Sequence, residues 1–162
     1  MRRSPRGIRL AVEVLEDRCL LSADIVDLSM VANAINNGGL VAGSRYGHAA
    51  LLRDGTFLDL GTLGGAGSRA NDVNEAGQVV GSAQTADGTA HAFLVTPEDT
   101  DSDGQTDRWF RDDDLNGIND LMLDLGTLGG PASEARGINN LGQVVGRADL
   151  NTTAGSYRAF LW

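Results

Sequence analysis

A chain of 162 residues with 22 Gly, one Cys, no Lys and a formal charge of −9 is the size of one ordinary domain or a few small repeats. Its acidity argues against nucleic-acid binding through a basic face, because neutralising phosphates takes clustered cations, and a single Cys makes no internal disulfide. No apolar run approaches the roughly 18 to 20 residues that a spanning helix needs, and glycine at about twice its usual share, without the collagen period, points to turns between short strands.

Residues 1–23 carry five Arg against Glu13, Glu16 and Asp17. Ile8, Val12, Leu15 and Cys19 form an apolar stripe at helical spacing, on which Cys19 is a small apolar residue. Arg9, Glu13, Glu16 and Asp17 interrupt the apolar stretch of an ordinary signal peptide. The run Leu15-Glu16-Asp17-Arg18-Cys19-Leu20-Leu21 resembles the Leu-Glu-x-Arg-x-Leu-Leu segment near the start of many secreted repeat proteins of environmental bacteria, which implies export. Read on its residues alone, the segment is an amphipathic helix or a disordered tail.

From residue 24 onward the chain repeats itself. Ala34-Ile35-Asn36-Asn37-Gly38-Gly39-Leu40-Val41-Ala42-Gly43, Asp72-Val73-Asn74-Glu75-Ala76-Gly77-Gln78-Val79-Val80-Gly81 and Gly137-Ile138-Asn139-Asn140-Leu141-Gly142-Gln143-Val144-Val145-Gly146 align. Each precedes a short apolar run: His48-Ala49-Ala50-Leu51-Leu52, His91-Ala92-Phe93-Leu94-Val95 and Arg158-Ala159-Phe160-Leu161-Trp162. Asp59-Leu60-Gly61-Thr62-Leu63-Gly64-Gly65 returns unchanged over residues 124–130, and Asp27-Leu28-Ser29 is its degenerate first copy. The spacing is 38 residues from Asn36 to Asn74 but 65 from Asn74 to Asn139, so an insertion over 97–121 separates units of about 24–56, 57–96 and 122–162.

Asn-x-x-Gly followed by Val-Val reads as a tight turn feeding a strand. The doublets Val79-Val80 and Val144-Val145 place apolar side chains on both faces of one strand, which calls for a sheet covered on both sides. The expected fold is all-β: about three four-stranded antiparallel units, stacked in a propeller-like way. Three units are fewer than the usual four to eight blades. The arrangement is therefore open, the reading preferred here, or shared between two chains.

Leu-Gly-Thr-Leu-Gly-Gly, Ile-Asn-x-x-Gly-Gln-Val-Val-Gly and His-Ala-Phe-Leu together resemble the HAF repeat, a family of bacterial extracellular repeat proteins, over residues 24–162 apart from the insertion. The resemblance implies a secreted or cell-surface β-repeat protein with no known catalytic activity. The tripeptide is complete only at His91-Ala92-Phe93, being His48-Ala49-Ala50 in the first unit and Arg158-Ala159-Phe160 in the third.

The insertion holds nine acids against Arg108 and Arg111 over residues 97–120. Asp99-Thr100-Asp101-Ser102-Asp103-Gly104-Gln105-Thr106-Asp107 is repeated thirteen residues later as Asp112-Asp113-Asp114-Leu115-Asn116-Gly117-Ile118-Asn119-Asp120. Oxygens at positions 1, 3, 5 and 9 and a carbonyl at 7, with Gly turning the chain at 6, converge on a hard cation. The candidate ligands are Asp99, Asp101, Asp103, the Gln105 carbonyl and Asp107, then Asp112, Asp114, Asn116, the Ile118 carbonyl and Asp120. The pattern resembles the calcium loops of EF-hand, dockerin and thrombospondin type 3 repeats, and Ca²⁺ is the cofactor it implies. Phe110 and Leu123 stand where an EF-hand places its bidentate Glu, so a sensor-type helix-loop-helix is not expected. The competing reading is a solvated acidic linker.

Catalysis is not expected. His48 and His91 share a repeat slot that the third unit fills with Arg158, which marks a scaffold position, and Gly64-Gly65-Ala66-Gly67 lacks the Lys of a phosphate loop. The function these features point to is a non-catalytic extracellular module, structural or adhesive, engaging itself or a surface protein or glycan. A carbohydrate-binding or carbohydrate-active module using the sheet edge and Trp109 is the alternative.

Overall fold

The computed structural model describes residues 26–151 and 156–162. The amino-terminal segment with Cys19 lies outside the described residues. Within them the chain is all-β, with no helix. Strands β1 (Val31–Ile35), β2 (Val41–Arg45), β3 (His48–Arg53) and β4 (Thr56–Gly61) form the first sheet in that order, every pair antiparallel. Strands β5 (Gly64–Val73), β6 (Val79–Thr85), β7 (Ala90–Val95) and β8 (Met122–Gly126) form the second in the same way. The third is β9 (Gly129–Ile138), β10 (Val144–Leu150) and β11 (Tyr157–Leu161), an open sheet of three strands where four were expected.

The turn between the first two strands of each sheet has one chemistry. Gly39, Gly77 and Gly142 donate their N–H groups to the carbonyls of Asn36, Asn74 and Asn139, three residues earlier. The same asparagines accept from the N–H of Leu40, Gln78 and Gln143 through Oδ1, at 2.9 to 3.0 Å. The amide nitrogens of two of them join the sheets: Asn36 Nδ2 donates to the Asn74 carbonyl and Asn74 Nδ2 to the Asn139 carbonyl, each at 3.0 Å.

The sheets stack face to face, and the valine doublet serves both interfaces of the middle one. Val79, Phe93 and Val95 join Ala42, Leu51 and Leu60 of the first sheet in one core. Val80, Ala92 and Leu94 join Ala135 and Val144 of the third sheet in the other. Gly43, Gly81 and Gly146 occupy one slot beneath these cores. A Cβ there would stand 1.8, 1.9 and 2.1 Å from the carbonyl oxygens of Val31, Arg69 and Glu134 on the neighbouring strand, so only glycine fits.

The seven-residue repeated element is divided between sheets. Its Asp-Leu-Gly half ends β4 and β8, which close the first and second sheets. Its Gly-Gly half opens β5 and β9 of the next. The second and third repeat units counted from the sequence thus each supply the last strand of one sheet and the first three of the following one. His48 Nδ1 lies 2.9 Å from Asp59 Oδ2 and His91 Nδ1 lies 2.8 Å from Asp124 Oδ2, so the shared histidine slot clips the third strand of a sheet to its fourth.

Candidate metal centre

The insertion leaves the second sheet after β7 and returns to it at β8, crossing the end of the stack beside the first sheet. Two buried side chains hold it there. Trp109, 3% exposed, sits in the core between the first and second sheets and donates from Nε1 to the Gly77 carbonyl at 2.8 Å. Asn119, 1% exposed, donates to the carbonyls of Leu60 and Trp109 and accepts from the N–H groups of Arg111 and Leu121, which uses its full hydrogen-bonding capacity. Arg53 of β3 adds a bond from Nη1 to the Thr106 carbonyl at 2.7 Å.

On sequence alone Trp109 can either pack the insertion onto a neighbouring unit or stack a sugar. Its burial removes the open ring face that such stacking requires. The sequence reading missed Asn119 as an anchor, because it sits beside the candidate ligand positions in a loop where asparagine is ordinary.

Between these anchors the two acidic loops share one hydrogen-bonded frame. At position 1, Asp99 accepts from the N–H of Ser102 and Gly104, and Asp112 from the N–H of Asn116 and Gly117. At position 3, Asp101 accepts from Asp103 N and Asp114 from Asn116 N. At position 5, Asp103 accepts from Gln105 N and Asn116 Oδ1 from Ile118 N, which ties down both position-7 residues. At position 9, Asp107 accepts from the Thr100 N–H and hydroxyl, and Asp120 from Asp113 N. Positive φ falls at positions 4 and 6 in both loops: 64° and 88° at Ser102 and Gly104, 59° and 81° at Leu115 and Gly117.

The loops differ in their charges. In the first, carboxylate oxygens of Asp99, Asp101 and Asp107 lie within 4.8 Å of one another, all exposed. In the second, the Arg111 guanidinium stands 3.1 Å from Asp113 and 3.9 Å from Asp120, so a cation already faces the position-9 acid. Arg111 also pairs with Glu98 at the root of the insertion. The Asp99 carboxyl titrates below its ordinary value, chiefly because the Gly104 N–H donates to it, so it stays ionised in mildly acidic solution.

These donors suit a hard cation. Calcium takes its oxygen ligands at about 2.3 to 2.6 Å, so ligand oxygens on opposite sides of it are about 5 Å apart, in keeping with the three carboxylates of the first loop. No helix among the described residues is long and apolar enough to cross a membrane. No family model matches this chain, and neither a curated protein nor a solved structure shows significant similarity to it.

Proposed function

We propose that the chain is a non-catalytic β-repeat module of the HAF-repeat type, secreted or held at a cell surface, with a structural or adhesive role and an insertion ordered by Ca²⁺. The observation that carries the calcium reading is the shared frame of the two loops, with three carboxylates of the first brought within 4.8 Å. Regular stacking of three sheets around apolar cores, with every histidine of the repeats engaged by an aspartate, supports a scaffold over an enzyme. The carbohydrate alternative loses support from the burial of Trp109.

Loops of this kind on extracellular modules bind calcium at about 10⁻⁴ to 10⁻³ M. Millimolar Ca²⁺ is therefore expected to raise the melting temperature and to protect residues 99–120 from proteolysis, and both effects should disappear in the double variant Asp101→Ala, Asp114→Ala. A melting curve and a digestion pattern indifferent to calcium would show the insertion to be an acidic linker instead.

A further inference from the structure

The two acidic loops have the same frame but not the same charge. In the first, positions 1, 3, 5 and 9 are all carboxylates: Asp99, Asp101, Asp103 and Asp107. In the second, Asn116 stands at position 5, which leaves Asp112, Asp114 and Asp120. The residue just before the loop changes sign as well, from Glu98 to Arg111, and position 2 changes from Thr100 to Asp113.

Folding turns these changes into one arrangement. The Arg111 guanidinium pairs through Nη1 with Glu98 at the root of the insertion. From there its Nε lies 3.1 Å from Asp113 Oδ2 and 3.9 Å from Asp120 Oδ2. That Nε is buried and has no aligned acceptor, so toward the loop it acts as a charge rather than as a hydrogen-bond donor. The Asp120 oxygen it faces also takes the Asp113 N–H. The matching carboxylate of the first loop, Asp107, meets only the uncharged N–H and hydroxyl of Thr100. Arg108, the other cation of the insertion, turns to Glu98 instead, with Nη1 3.6 Å from it. Among the described residues no cation is paired with Asp99, Asp101, Asp103 or Asp107.

The carboxylates differ to match. Oxygens of Asp99, Asp101 and Asp107 converge within 4.8 Å of one another, whereas the corresponding trio Asp112, Asp114 and Asp120 forms no such group. Affinity for a hard cation follows the number of charged ligands and the rigidity of the site. The first loop offers four negative ligands and no cation. The second offers three, with a guanidinium beside one of them, and arginine does not lose its proton to make room.

We infer that the insertion takes one divalent cation, in the first loop, and that Arg111 closes the second loop by standing in for its ion. This rests on the calcium reading of the insertion. The second loop is then ordered from within the chain, and only the first responds to the concentration of the ion. It is the charge of Arg111, and not its packing, that sets the number of ions bound.

Isothermal titration of the full chain with calcium chloride tests this, together with the amide resonances of Gly104 and Gly117, which occupy position 6 of the two loops. The wild type should take one ion, shift Gly104 and leave Gly117 unmoved. Asp101→Ala should lose that ion, and Asp114→Ala should keep it. Arg111→Gln should take two ions and shift both glycines, whereas Arg111→Lys, which keeps the charge, should still take one. Two ions in the wild type, a shift of Gly117 there, or a single ion in Arg111→Gln would overturn the inference while leaving calcium binding itself intact. Uptake of no ion by the wild type or by Arg111→Gln would overturn the calcium reading, and the inference with it.

Discussion

At Gly81 the limiting quantity is a distance. A methyl group would lie 1.9 Å from the Arg69 carbonyl oxygen of β5, and the obstacle is a paired backbone that cannot rotate away. Gly81→Ala is expected to force β5 and β6 apart at a cost of about 1 to 3 kcal/mol or more, as overpacked sites do. A urea midpoint equal to that of the wild type would refute this. The requirement for glycine here was not legible in the sequence. Val-Val-Gly reads there as a strand followed by punctuation, because the crowding comes from a strand whose position depends on pairing register. Asn36, Asn74 and Asn139 were legible, since an Asn-x-x-Gly turn is satisfied by residues at most four apart.

Among the elements, the β6–β7 hairpin carries its own pH dependence. Asp87 accepts from the hydroxyls of Thr85 and Thr89 and from the Thr89 N–H. These bonds, the Thr85 hydroxyl first, lower its carboxyl from an ordinary 3.8 to about 2. A group whose folded value is depressed stabilises the hairpin fully above its ordinary value and loses that contribution as pH falls toward the folded one. The turn is thus expected to loosen between about pH 4 and 2, read by NMR as a shift of the Thr89 amide. Asp87→Asn should abolish this step, and a step that survives in the variant would assign it to another group. The acidic loops were also legible as elements, for the same local reason. Carboxylate spacing and glycine turns lie within nine consecutive residues of each copy. What separates the loops, the Arg111 guanidinium beside Asp113 and Asp120, follows from a fold-back that the spacing does not encode.

For the whole molecule, stacking depends on small polar staples as well as on apolar faces. Ser133 Oγ, on a residue 4% exposed, donates to the Gly126 carbonyl and accepts from the buried Ala92 N–H, and Ser68 does the same for Gly61 and Ala49. The third strands shift register at Ala49/Ala50 and Ala92/Phe93, at the very residues whose N–H groups the serines take up. Ser133→Ala strands a buried donor and is expected to cost about 1 to 3 kcal/mol. Faster hydrogen exchange at Ala92 would report the loss, and unchanged exchange there would show that water replaces the hydroxyl.

The sequence by itself determined that the described residues are all-β, that three units recur with an insertion in the second, and that the strand of Val79-Val80 has two covered faces, whereas the same expectation for Val144-Val145 fails at Val145, which is 51% exposed. Turn chemistry and side-chain alternation act between near neighbours, so a linear reading recovers them. Tertiary structure alone decided that the fourth strands of the first and second sheets belong to the following repeats and that Trp109 is an anchor rather than a platform. These outcomes are set by pairing and packing between segments dozens of residues apart, where geometry selects among partners that the sequence makes chemically alike.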